Sequence, residues 1–148
     1  MSLYNNELIG ILCFQEFMYI KKEIELSKIM LLLPIIFHQK SLAYLSNKKT
    51  RVISIKNLIL TKPEILVSLN RRYYNFLPHS INCLSLCLDN KLLKLKDGNV
   101  YFLKRMFNEY DLPNLGKRAL KIQTSMANLV ELLSDDSYQL FELCGVEL

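Results

Sequence analysis

Apolar residues recur at helical spacing almost from the start of the chain. Leu8, Ile9, Leu12, Cys13 and Phe17 fall on one face of a 3.6-residue period, with Glu16 in the same stripe and Asn6 placed to cap it. The apolar content runs to Ile20, and Lys21-Lys22 closes the segment. Ser27 is positioned to cap a second helix through Leu33, which Pro34 kinks or interrupts before Ile35–Leu45 continues it. Asn47–Ser54 is polar and basic and reads as a loop. Ile55–Leu60 is too short for its period to separate helix from strand. Thr61-Lys62-Pro63-Glu64 has the form of a helix start, with a helix expected to about Phe76. Pro78 and Ser80 then open a further helix, Ser80–Asp89.

Beyond Asp89 the period changes from helical to alternating. Leu92–Leu95 and Val100–Leu103 flank Lys96-Asp97-Gly98-Asn99, and Asp-Gly between two such runs is a strong hairpin signal. Asn108–Pro113 is a connector. Leu115–Leu133 follows as a long amphipathic helix carrying Leu120, Met126, Leu129, Val130 and Leu133 on its apolar side. Ser134–Asp136 breaks it, and Ser137–Leu143 forms a last short helix stopped by Gly145. The expected architecture is mainly α with a small β-hairpin. It divides into a winged-helix-like helical core over residues 1–107 and a C-terminal helical extension over residues 108–148.

Composition narrows the chemistry. The chain has 148 residues, 51% hydrophobic and 22% charged, enough to build a core and too apolar for disorder. Its four glycines stand at 10, 98, 116 and 145, so no phosphate-binding glycine loop exists. HExxH, paired CxxC and GxSxG motifs are missing as well, and His38 and His79 lack a nearby nucleophile in sequence. The expectation is a chain with no catalytic residues, no cofactor and no small-molecule substrate. His79, Cys83 and Cys87 follow i, i+4 spacing and can share a helix face, but no second ligand pair joins them. They fit a buried helix face better than a metal site, so no metal is expected. The apolar run Ile29–Phe37 is about half a membrane span and contains Pro34, and the N-terminus lacks a basic leader. A cytoplasmic protein without a membrane segment is expected.

Charge is unevenly distributed. The whole chain is +5, yet residues 40–105 hold 13 Lys or Arg against 3 Asp or Glu, and residues 131–148 hold 5 acidic residues and no basic ones. Lys91, Lys94, Lys96, Lys104 and Arg105 surround the hairpin, and Arg71-Arg72 precede Tyr73-Tyr74. These seven form a candidate basic patch for nucleic acid or a protein partner. Solubility and protection of an edge strand account for the same lysines without a ligand. The tail mixes Glu131, Asp135, Asp136 and Glu142 with apolar residues, Phe141 among them, a combination suited to a protein partner.

The order of these features resembles a known family. Tyr4-Asn5-Asn6-Glu7-Leu8-Ile9-Gly10 stands at the start, and Leu31-Leu32-Leu33-Pro34-Ile35-Ile36-Phe37-His38 follows. Next come the basic loop with Thr50 after Lys48-Lys49, then Arg71-Arg72 ahead of Leu77-Pro78, then the hairpin. Leu115-Gly116-Lys117 and the closing Leu143-Cys144-Gly145-Val146 complete the series. In this order the chain resembles the small middle component of bacterial three-component ABC-ATPase defence systems, the Lamassu-type anti-phage systems among them. The resemblance implies a non-enzymatic adaptor between an SMC/Rad50-like ABC ATPase, which senses foreign or abnormal DNA, and an effector subunit, often a nuclease. DNA would then be met through the complex.

The alternative is a stand-alone winged-helix DNA-binding regulator. It has the +10 middle and the helix-then-hairpin order in its favour. Against it, Ser80–Asp89 offers only Asn82 to read base edges.

Overall fold

A computed structural model describes the backbone of residues 2–147 and the side chains of residues 6–147. The first helix, α1 (Ser2–Lys21), is the centre of the molecule. Every side chain from Ile11 to Met18 is buried, so the helix is enclosed all round rather than along one stripe. Asn6, the expected cap, lies inside α1. Gly10 marks its closest approach to a second long helix, α6 (Leu69–Asp89): a Cβ there would stand 2.5 Å from Cys83 Sγ. Only glycine lets the two backbones come this near.

Between them the chain is broken into short pieces: β1 (Glu23–Glu25), α2 (Leu26–Ile29), α3 (Leu32–Ile36), α4 (Gln39–Leu45) and α5 (Ile55–Thr61). Ser27 falls within α2 rather than capping it. Pro34 sits in the first turn of α3, where its missing N–H leaves no helical bond unmade. Ser54 settles the ambiguous segment as a helix, because its Oγ accepts the Asn57 N–H at 3.1 Å and caps α5.

Two boundaries differ from the sequence expectation. Thr61 ends α5 instead of opening a helix, and Pro63–Ile65 makes only a 3-10 turn. The carbonyls that would extend that turn are taken by the Arg72 guanidinium, which donates to Ile65 O at 2.9 Å and Val67 O at 3.0 Å. Helix α6 begins after Ser68, whose φ is 64°, and then runs unbroken through Pro78. Pro78 is on the exposed side, and the carbonyl four residues back belongs to exposed Tyr74, where water can satisfy it.

The hairpin forms as expected, with β2 (Leu93–Lys96) and β3 (Asn99–Phe102) joined by Asp97 and Gly98, both at positive φ. That is the backbone of a type I′ turn. β1 adds a third strand, giving the antiparallel order β1-β3-β2. Three residues are too few for an alternation signal, which is why the sequence showed two strands. Met106 and Phe107, beyond the hairpin, are tied back to α1 by Gln15, whose Oε1 accepts both of their N–H groups at 2.7 and 2.9 Å.

A 3-10 turn, Leu112–Leu115, leads into α7 (Lys117–Leu132), and α8 (Ser137–Cys144) ends on Gly145 at φ 73°. Helix α7 packs along α1 and α4, and α8 packs on α5. Residues from both sides of position 107 share one apolar core, from Ile11 and Phe14 to Phe141 and Val146. Among the described residues no helix is long and apolar enough to cross a membrane.

Candidate functional site

The seven expected basic residues separate into surface and interior. Lys91, Lys94, Lys96 and Lys104 are exposed along the β2 edge, and Arg71 is exposed on α6. The register sets Lys94 across from Tyr101 and Lys96 across from Asn99, with Glu23 and Glu25 beyond them on β1. Side chains alternate along a strand, so these share the outer face of the sheet. That face runs from acidic at β1 to basic at β2. Ile24 and Val100 point the other way, into the core.

Arg72 and Arg105 are used inside the fold. Arg72 is buried, and its guanidinium donates to the carbonyls of Pro34, Ile65 and Val67 and to Ser68 Oγ. Burial pushes its pKa down, with the charge of Arg71 adding to the effect. Arg105 lies 3.6 Å from the buried Glu16 carboxylate and stacks 3.7 Å above the Tyr19 ring, which fastens the hairpin's exit to α1.

The acidic tail also divides. Glu131, Asp136 and Glu142 are exposed and Asp135 is half-buried. Asp136 caps α8 through the Gln139 N–H. Phe141 is buried and meets Tyr73 edge-on, with ring centroids 5.9 Å apart. The apolar residues Leu132, Leu133 and Leu140 are likewise core. The exposed surface at this end is therefore acidic, with one large apolar side chain among the described residues, Tyr138, at 76% exposure. It borders an open groove of about 590 Å³ lined by Ser27, Glu142, Val146 and Glu147.

His79 and Cys83 do come together, 3.9 Å apart, but the imidazole Nε2 donates to Asn6 O. Burial pushes the thiols of Cys83 and Cys87 up to about 12 and raises that of Cys13 as well. They are protonated packing groups, with Cys83 against Gly10, and not thiolates. Among the described residues no three His, Cys, Asp or Glu side chains converge on a metal geometry.

One basic site was not visible in the sequence. A groove of about 740 Å³ between α4 and α7 is lined by His38, Lys40, Arg72, Lys117, Arg118 and Lys121, with no carboxylate among its lining residues. Arg118 stacks 4.4 Å over Phe37, and His38 Nδ1 meets Ser41 Oγ at 2.7 Å. Burial, then Arg72 and Lys40, lowers the His38 pKa below 6.5. These basic residues come from three separate stretches, 38–40, 72 and 117–121, so no local run announces them together.

A family model described as ABC-three component (ABC-3C) system Middle Component 3 matches residues 11–147. The chain belongs to that family. The same comparison with curated proteins and with solved structures finds no match. The span covered by Middle Component 3 takes in the β2 edge, the acidic end and the α4–α7 groove together. It leaves out the opening segment through Gly10 that contributed to the sequence resemblance.

Proposed function

We propose that the chain is a non-catalytic adaptor in an anti-phage defence complex of the ABC-three component type. It links an SMC/Rad50-like ATPase that senses DNA to an effector, a nuclease in this reading, and controls that effector. The observation that carries the proposal is the Middle Component 3 match over residues 11–147. The inert thiols and the dispersed histidines fit a subunit without chemistry of its own. The opposed charges of the β2 edge and the α8 end suit the docking of two different partners. Lys91, Lys94, Lys96 and Lys104 face one of them, and Glu131, Asp135, Asp136 and Glu142 the other. The Lamassu-like identity of the system and its cytoplasmic setting belong to the same proposal.

Co-expression with the products of the two flanking genes tests it. A stable ternary complex is expected, with Lys94→Glu/Lys96→Glu releasing one partner and Asp136→Lys/Glu142→Lys the other. A chain that elutes alone beside the ATPase sinks the adaptor reading.

The second reading, a stand-alone winged-helix regulator, has the sheet order β1-β3-β2 behind a long helix in its favour. The outer side of α6 counts against it. That side presents one cation, Arg71, followed by Tyr74, Asn75, Pro78, Ile81, Ser85 and Asp89, and Asn82 donates to Glu7 at 3.1 Å. Tight, sequence-specific DNA binding by the isolated chain would favour the regulator.

A further inference from the structure

Residues 26–63 and 112–130 contain no Asp or Glu, yet hold ten Lys or Arg between them. The fold lays part of one segment along the other. Helix α4 packs on α7, with His38 and Lys40 at the Lys117 end and Leu45 at the Asn128 end. Asn128 fixes that second end from one side chain. Its Oδ1 accepts the Val52 N–H at 2.9 Å, and its Nδ2 donates to Leu45 O at 3.0 Å and Thr50 O at 3.2 Å. The clamp holds the exposed Lys48, Lys49 and Arg51 beside α7.

On α7 itself, Lys117, Lys121, Thr124 and Asn128 follow i, i+4, i+7, i+11 spacing and share one stripe. The stripe is about 16 Å long at ~1.5 Å per residue. That matches about five phosphates of one strand at ~3.4 Å of duplex axis each. Lys117, Arg118 and Lys121 also crowd the positive end of the α7 dipole, and among the described residues none lies within 4.0 Å of a carboxylate. Such crowding opposes folding, and an anion seated there relieves it.

We infer that the α4–α7 face binds the phosphate backbone of a nucleic acid. It is distinct from the hairpin edge, and its binding does not depend on the adaptor reading. A protein partner is the weaker fit: the centre of a protein interface wants aromatic or aliphatic anchors and is poor in lysine. Here the exposed row is Gln39, Lys40, Lys117, Lys121 and Thr124, with Leu120 beside it at 41% exposure; Ile36 and Leu42 in the groove are buried, and the nearest aromatic, Phe37, is partly covered by Arg118. The contacts are to backbone charge, so binding is salt-sensitive and indifferent to sequence.

The experiment uses the full chain and a short fluorescent duplex of arbitrary sequence, with anisotropy read across a salt series. Lys40→Gln/Lys117→Gln/Lys121→Gln, all at exposed positions, should reduce the log–log salt slope by about 2.7 and weaken binding roughly five-hundredfold near ~0.1 M salt. Lys91→Gln/Lys94→Gln/Lys96→Gln should leave both nearly unchanged. The Lys→Arg version of the first triple keeps the charge and should restore binding, which separates lost contact from lost fold. An unaltered slope in the first triple overturns the inference. So does a chain that ignores DNA while an acidic protein from the same operon binds this face and is released by the triple.

Discussion

Two basic regions of this molecule are built in opposite ways. The hairpin edge takes its lysines from one short stretch and holds them on a two-residue turn and a four-residue strand. The α4–α7 face draws on residues 38–51 and 117–128 and exists only when the core is assembled. Beneath the second lies a buried cation, Arg72, whose charge is spent on backbone carbonyls. Cations in this protein therefore have different jobs. Those that reach solvent set surface charge, Arg72 ties backbone carbonyls together inside, and Arg105 fastens the hairpin's exit to α1.

Arg72→Leu is the largest test of that division. It leaves the carbonyls of Pro34 and Val67 without this donor and Ile65 O with only the Ser41 hydroxyl at 3.4 Å, and should cost about 3–5 kcal/mol. Urea unfolding measures it. A loss no greater than that of a surface lysine would return Arg72 to the surface patch. Asn128→Ala comes next, because one side chain serves three backbone partners at the end of the α4–α7 face. About 1–3 kcal/mol should be lost, together with part of the salt slope for duplex binding, as Lys48, Lys49 and Arg51 lose their anchorage. Lys94→Gln/Lys96→Gln, by contrast, should stay within about 0.5 kcal/mol of the parent. A larger drop would mean that the β2 edge holds the fold and is not only surface.

Local signals explain what was legible in the sequence. Asp97-Gly98 named its own turn, Gly145 its own helix end, and Ser134–Asp136 its own break, each through backbone chemistry confined to a few residues. What failed was set at a distance. The Pro63 turn stops because Arg72 takes its carbonyls, and α6 continues past Pro78 because α1 and α3 pack its inner side. The candidate surfaces follow the same rule. The hairpin lysines were readable, whereas the α4–α7 groove was not, since its lining meets only through tertiary packing. Phe141 looked like a partner residue beside acidic neighbours and is core, because the side it faces is decided by Tyr73.

The two basic regions also differ in one titratable group, and this gives the finest test. His38 lines the α4–α7 groove, whereas the β2 edge residues are lysines. In the free chain, burial and then the charges of Arg72 and Lys40 hold the imidazole below its ordinary 6.5. The folded chain thus binds fewer protons here than the unfolded one. This small stabilising term is complete above the ordinary histidine range and erodes as pH falls through and below it. A polyanion seated on Lys40 reverses the local field and favours the imidazolium, so the complex takes up a proton that the free chain does not. Duplex affinity should therefore rise severalfold as pH falls from about 7.5 to about 6, and His38→Gln should flatten the rise. An affinity that ignores pH over this range would count against the groove and in favour of the β2 edge, whose basic residues are all lysines.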